Sequence, residues 1–133
     1  MKISDWHARY LQQAGWTHSA RNYLLSQINL DSGNKCLEVG VGTGAVAAEI
    51  NENRTVSAFG VDIDYSALSF AHHGDLSLKL SLADGCRLPF ADNAFSFCFC
   101  HYLLLWVDAP VSALSEMKRV TTPGGYIVIM AEP

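Results

Sequence analysis

The chain has 133 residues, half of them hydrophobic, with a formal net charge of −4 and an isoelectric point near 5.6. That size fits one domain with a real core and argues against a second full one, because single domains usually hold roughly 100–200 residues. The acidic balance supplies no basic surplus to neutralise a phosphate backbone, which argues against a nucleic-acid partner. No apolar run reaches the roughly 18–20 residues of a membrane span. Asp5, His7 and Arg9 break up the N-terminus where a signal peptide would be apolar, so the chain reads as soluble and cytoplasmic, with no membrane partner.

In chain order, residues 4–30 carry helical spacing: Trp6, Tyr10 and Leu11 can share one face, as can Ala20, Tyr23, Leu24, Gln27 and Ile28. Two helices are expected, broken around Gly15. Asp31-Ser32-Gly33-Asn34 is turn chemistry, and residues 35–39 form a short strand that ends in glycines. A helix should begin near Thr43 and run through Ala45, Val46, Ala47, Ala48 and Ile50. Residues 55–61 read as a second strand, followed by a helix that stops at His72-His73-Gly74, with Gly74 as its C-terminal cap. A third strand spans about residues 78–82 and leads into Ala83-Asp84-Gly85 and a loop containing Pro89. Residues 95–101 make an apolar fourth strand, residues 108–120 a helix and residues 126–131 a fifth strand. Phe95, Phe97 and Phe99 alternate along the fourth strand and read as core.

Strands alternating with helices argue for a parallel sheet with crossover helices, since parallel neighbours cannot be joined by a tight hairpin. Near-continuous apolar strands agree, because such strands are covered on both faces. The fold class is therefore α/β, a three-layer sandwich with a mostly parallel sheet of about five strands behind two N-terminal helices. Cys36, Cys86, Cys98 and Cys100 lie in apolar context without a Cys-x-x-Cys pair, and read as buried free thiols.

In an open parallel sheet, ligands sit at the carboxyl ends of the strands, near the reversal of strand order. Gly40, Gly42 and Gly44 follow the first strand and open a helix there, which lets backbone approach a ligand and turns helix N–H groups toward it. A tight turn without a ligand would look the same. Asp62 ends the second strand 22 residues after Gly40, where a carboxylate can accept both hydroxyls of a ribose. Its other reading is a helix N-cap, a role Asp64 could fill as well. Asp84 ends the third strand, where its side chain or the backbone of Gly85 and Cys86 could reach an adenine edge; Asp-Gly is also an ordinary turn pair. One glycine turn and two acids at successive strand ends together favour a nucleoside ligand.

The stretch Glu38-Val39-Gly40-Val41-Gly42-Thr43-Gly44 resembles the first motif of class I S-adenosylmethionine-dependent methyltransferases, in their small-molecule, type 11-like group. Gly60-Val61-Asp62-Ile63-Asp64, Ala83-Asp84-Gly85-Cys86-Arg87-Leu88-Pro89-Phe90 and Met117-Lys118-Arg119-Val120-Thr121-Thr122-Pro123-Gly124-Gly125 resemble the later motifs, in the family's order. The resemblance runs over residues 34–132 and implies a Rossmann-like core over residues 34–133, a helical cap over residues 1–33, and one S-adenosylmethionine-binding domain in all. It implies Glu38 near the cofactor's amino-acid moiety, Asp62 on the ribose, Ile63 on an adenine face and Asp84 on the exocyclic amine. Gln12-Gln13-Ala14-Gly15-Trp16-Thr17 resembles a segment that closes over the cofactor, making Trp16, Thr17 and Arg21 candidates for its methionine end; helix packing explains them too. The acceptor implied is a small molecule.

Many relatives carry Asp after the fourth-strand phenylalanine, whereas Phe95 is followed here by Ser96. His101, at the end of that strand, could act as a base or line the pocket. A base is needed only if the acceptor carries a proton of high pKa, since the cofactor supplies an activated leaving group and the protein mainly aligns donor and acceptor. His72 and His73 lack partners at ligand spacing and suit a helix C-terminus better than a metal. Two further readings stay open: a nicotinamide-dependent oxidoreductase, since Gly40-Val41-Gly42-Thr43-Gly44-Ala45 satisfies the looser dinucleotide fingerprint, and a non-catalytic binding or interaction module that keeps the fold. The sequence ends at Pro133, directly after the fifth strand, where the family's pattern continues through two more strands. The resemblance thus implies a truncated chain with little turnover and a long apolar sheet edge suited to homodimer pairing.

Overall fold

A computed structural model describes residues 1–31, 33–53 and 56–132. Ten elements follow in order: α1 (Ile3–Trp16), α2 (His18–Ser26), β1 (Lys35–Val39), α3 (Ala45–Asn53), β2 (Ser57–Asp62), α4 (Tyr65–Gly74), β3 (Lys79–Leu82), β4 (Phe95–His101), α5 (Pro110–Val120) and β5 (Thr121–Met130). Each strand is parallel to its neighbours in the order β3-β2-β1-β4-β5. The chain builds outward from β1 to β3 and then crosses to β4 on β1's other side, so strand order reverses between β1 and β4. A cleft at their carboxyl ends is the topological consequence.

Two apolar clusters cover the sheet's faces. Ala14, Leu25, Val46, Ile50 and Leu68 from α1–α4 pack on Cys36, Ala58, Phe97, Phe99, Val128 and Met130. Met117 and Val120 from α5, with Leu88, pack on Leu37, Val39, Val61, Cys98 and Cys100. All three fourth-strand phenylalanines are buried, but Phe95 belongs with Cys98 and Cys100, not with Phe97 and Phe99. A register shift between Phe95 and Phe97 turns it to the opposite face, where its ring meets Phe59 and Phe90 edge-on.

Several element boundaries differ from the sequence expectation. The break between the first two helices falls at Thr17, because Gly15 is still helical. The helix after the glycine loop starts at Ala45, since Gly42 and Gly44 both hold positive φ. Gly74 is the last residue of α4 and the extended Asp75 is its C-cap, so no left-handed glycine ends that helix. The fifth strand begins at Thr121, directly from α5, because the segment through Gly125 accommodates the register shift against β4. Ser32, Thr55 and Pro133, which took part in the expected turn, second strand and chain end, lie outside the described residues.

Between β3 and β4 the described chain runs as loop, and α5 holds it in place. Arg119 donates to the carbonyls of Phe90 and Leu88 at 2.8 and 3.1 Å and to Asp92, while Glu116 accepts from Leu88 N at 2.9 Å. Pro110 opens α5, where a missing N–H costs nothing. Among the described residues no helix is long and apolar enough to cross a membrane.

Candidate functional site

The glycine loop is folded back against β2, with Gly40 N and Val41 N both donating to Val61 O at 2.9 Å. Gly40, Gly42 and Gly44 have φ of 76°, 53° and 82°, which only glycine adopts without strain. Gly60 has a different duty: a Cβ there would lie 2.6 Å from Val41 Cγ2, so its hydrogen lets the loop's valine sit on β2. In the sequence Gly60 stands out only as part of a motif. Its position one residue before the second strand's buried valine was the available signal.

Asp62 is fixed at both oxygens: Oδ2 accepts from Gly42 N at 2.7 Å and Oδ1 from Asp64 N at 2.9 Å. The N-cap role belongs to Asp64, whose side chain accepts from Ser66 N and Ala67 N. An ionised carboxylate has about four acceptor positions, so Asp62 keeps capacity for two hydroxyls. Asp84 is exposed; its Oδ1 accepts from Cys86 N at 2.8 Å, closing a turn in front of β3. Gly85 in that turn passes too close to Val39 for a side chain, with Cγ1 at 2.8 Å from an added Cβ. Ile63, between these acids, leaves its side chain 76% exposed.

Glu38 lies at the cleft floor, only 3% exposed, and its Oε2 has no hydrogen-bond partner among the described residues. Burial pushes its carboxyl well above the ordinary range; the Ala47 N–H and the Arg21 charge oppose that push, and Asp62 adds to it.

The cleft, of about 950 Å³, brings Glu38, Gly40, Gly42, Asp62, Ile63, Asp84, Gly85 and His101 together. Four aromatic residues also line it, Trp6 and Tyr10 from α1 and Tyr102 and Trp106 after β4. Tyr10 stands over Gly42, and His7 Nδ1 bonds Thr43 Oγ1 at 2.8 Å, docking α1 on the loop. Glu132 accepts from Leu103 N and Leu104 N at 2.7 and 2.9 Å and so holds the segment after β4 across Gly40. Glu132 lies two residues beyond β5, as Asp84 lies two beyond β3, and that placement is its one mark in the sequence.

Trp16, Thr17 and Gly44 do not line this cleft; a Cβ at Gly44 would meet Ala71 and Leu78 of the core instead. Trp16, the last residue of α1, is 67% exposed. Thr17 Oγ1 bonds His101 Nε2 at 2.9 Å, behind the cleft wall. Arg21 is buried against Glu49, Thr17 and the Ala14 carbonyl instead of reaching a ligand. Of the cysteines, Cys36, Cys98 and Cys100 are buried, whereas Cys86 is partly exposed on the Asp84 turn. Ser96 takes a hydrogen bond from Asn34 at 2.9 Å, at the start of β4, so no cleft contact is lost with the missing Asp.

A cradle of positive-φ glycines, an acid poised for hydroxyls and a buried unpartnered carboxyl oxygen fit a nucleoside that also carries a cationic amino-acid arm. The family model for the methyltransferase domain matches residues 37–129. The chain belongs to that family, the class I S-adenosylmethionine-dependent methyltransferases. It is 31% identical over 121 residues to the ubiquinone/menaquinone biosynthesis C-methyltransferase UbiE of Bdellovibrio bacteriovorus, an alignment covering 87% of this chain and 52% of that protein. With the demethylmenaquinone methyltransferase of Corynebacterium glutamicum it shares 33% identity over 103 residues, 77% of this chain and 44% of the relative. The chain thus spans about half the length of these curated relatives. Among solved structures, the cyclase SpnF superposes with a TM-score of 0.70 at 29% identity, over 74% of this chain and 39% of its own.

Proposed function

We propose that this domain binds S-adenosylmethionine and presents its methyl group to a small, flat, apolar acceptor on the aromatic side of the cleft. The buried, unpartnered Glu38 oxygen carries the reading. A buried carboxyl oxygen in that position calls for a hydrogen-bond donor, and the ammonium of the cofactor's amino-acid arm is one. Asp62 takes the ribose hydroxyls, Ile63 covers an adenine face, and Asp84 with the backbone of Gly85 meets the adenine edge. The glycine loop gives the methionine portion close backbone approach, and residues 1–33 act as the cap through His7 and Tyr10. When bound, the cofactor supplies a methyl group on a sulfonium that leaves with its electron pair, so the protein's task is alignment and exclusion of water. The names of the two relatives make a quinone-type ring the acceptor class to test first.

Calorimetric titration of the folded protein with S-adenosylmethionine and S-adenosylhomocysteine tests this directly. Saturable binding of both is expected; no heat at millimolar ligand overturns the proposal. Binding without any transfer to a panel of small acceptors would favour the non-catalytic reading. The four unpaired cysteines support a reducing, cytoplasmic compartment. Tyr126, Ile127 and Ile129, each more than a third exposed on an edge strand, support homodimer pairing through β5.

A further inference from the structure

His101 ends β4 in the cleft wall, and its Nε2 is already engaged by Thr17. A neutral imidazole has one N–H and one lone pair, so the proton on Thr17 decides what His101 offers the cleft. The Thr17 hydroxyl has one hydrogen to give and two lone pairs. Arg21 Nη1, a permanent donor, occupies one lone pair at 2.8 Å. Three acceptors compete for the hydrogen: His101 Nε2 at 2.9 Å, the Ala14 carbonyl at 3.3 Å and the Gln13 carbonyl at 3.5 Å. The ring nitrogen is nearest, both carbonyls lie beyond a normal hydroxyl bond, and Arg21 Nη2 already donates to Ala14 O at 3.1 Å. A guanidinium on Thr17 Oγ1 also strengthens the hydroxyl as a donor and repels a second N–H aimed at the same oxygen. Thr17 therefore donates, Nε2 is the lone pair, and the ring proton sits on Nδ1.

We infer that Thr17 and Arg21 lock His101 as the neutral Nδ1–H tautomer, so that it presents a hydrogen-bond donor, not a base, to the acceptor side of the cleft and selects an acceptor bearing an oxygen lone pair. Nδ1 has no protein partner among the described residues. Burial, then the Arg21 charge, holds the imidazole below its ordinary pKa, against the pull of Glu132 and Glu49, which keeps the ring neutral at neutral pH. The neighbouring wall is Tyr102, Leu103 and Trp106, so an acceptor matching it is a flat apolar skeleton with one oxygen at the His101 end. A hydrocarbon of the same shape would bury Nδ1–H without a partner, and such a donor costs enough to discriminate. Thr17 is a positioning residue here, and the inference rests on the acceptor side assigned under the proposed function.

Two-bond nitrogen–proton correlation on protein carrying isotope-labelled histidine reads the tautomer. The expected spectrum shows His101 protonated on Nδ1 only, unchanged in Thr17→Ser and shifted toward Nε2–H in Thr17→Val. An Nε2–H ring or an imidazolium in the parent protein at neutral pH overturns the lock, as does a Thr17→Val spectrum identical to the parent's. For recognition, α-tetralone and tetralin share a bicyclic skeleton and differ by one carbonyl oxygen. The Nδ1 signal should move with millimolar α-tetralone and stay with tetralin; no movement with α-tetralone, or equal movement with both, overturns the acceptor role. Calorimetry with S-adenosylhomocysteine on the same samples reports the donor side separately. A silent titration beside an Nδ1–H ring overturns the proposed function and upholds the lock, whereas normal titration beside an Nε2–H ring does the reverse.

Discussion

Glu38 carries the largest electrostatic liability in the cleft, and its sign can be worked through. Burial raises its folded-state pKa above the ordinary 4.5, so at intermediate pH the unfolded chain is ionised while the ligand-free folded chain keeps its proton. The folded state then binds more protons, and stability falls as pH rises from the ordinary value toward the folded one, by at most about 1.4 kcal/mol per pH unit. Glu38→Gln removes that slope. Denaturant titrations of ligand-free protein across this range should show stability changing with pH less favourably in the parent than in the variant, the difference growing as pH rises, and the variant should also bind S-adenosylhomocysteine at least tenfold more weakly. Parallel pH profiles would mean that Glu38 is solvated and ionised, contrary to its burial.

At the scale of elements, α1 is joined to the glycine loop mainly by His7, which bonds Thr43 and packs its ring against Phe70 at 4.8 Å. His7→Ala leaves the buried Thr43 hydroxyl without that partner, and about 1–2 kcal/mol of docking should go with it. Hydrogen exchange would show this as faster exchange of α1 amides with β1 amides unchanged; uniform acceleration of both would point to global destabilisation instead. Burial also lowers the His7 pKa below its ordinary 6.5, so protonation is easier in the undocked helix and docking weakens as pH falls below that value. Element identity was legible in the sequence because short strand-like runs alternate with helical spacing, and the glycine loop, Asp62 and Asp84 were legible because they close the first three strands. What was not legible depends on contacts between distant segments. Tyr10 over Gly42, Glu132 on the Leu103 amides and Thr17 behind His101 are separated by 32, 29 and 84 residues. Trp16 misled for the same reason: helical spacing does not say which way a chain turns at a helix break. Phe95 joined the opposite core because a register shift breaks the two-residue alternation, and nothing local marks it.

For the whole molecule, the sheet has the cleft at the ends of its central strands and an unequal edge at β5. Among the described residues β5 pairs only with β4. Its first half is poor for pairing, since Pro123 has no N–H and the register shifts there, which leaves residues 126–130 as a usable edge of roughly 17 Å. Two copies related by a two-fold axis must bring identical edges together head to tail, so β5 would run antiparallel to its copy even though every pair within the sheet is parallel. Five residues of ladder, with Tyr126, Ile127 and Ile129 as the apolar contribution, predict a weak dimer that forms and dissociates with concentration. Sedimentation velocity over a concentration series should show a monomer–dimer shift that stops at the dimer, because closed pairing consumes the edge. Lysine at both Ile127 and Ile129 places like charges across the short ladder and should return the protein to monomer without changing its binding of S-adenosylhomocysteine, since neither residue lines the cleft. A parent that stays monomeric at millimolar concentration, or a double variant that still dimerises, would place any self-association elsewhere.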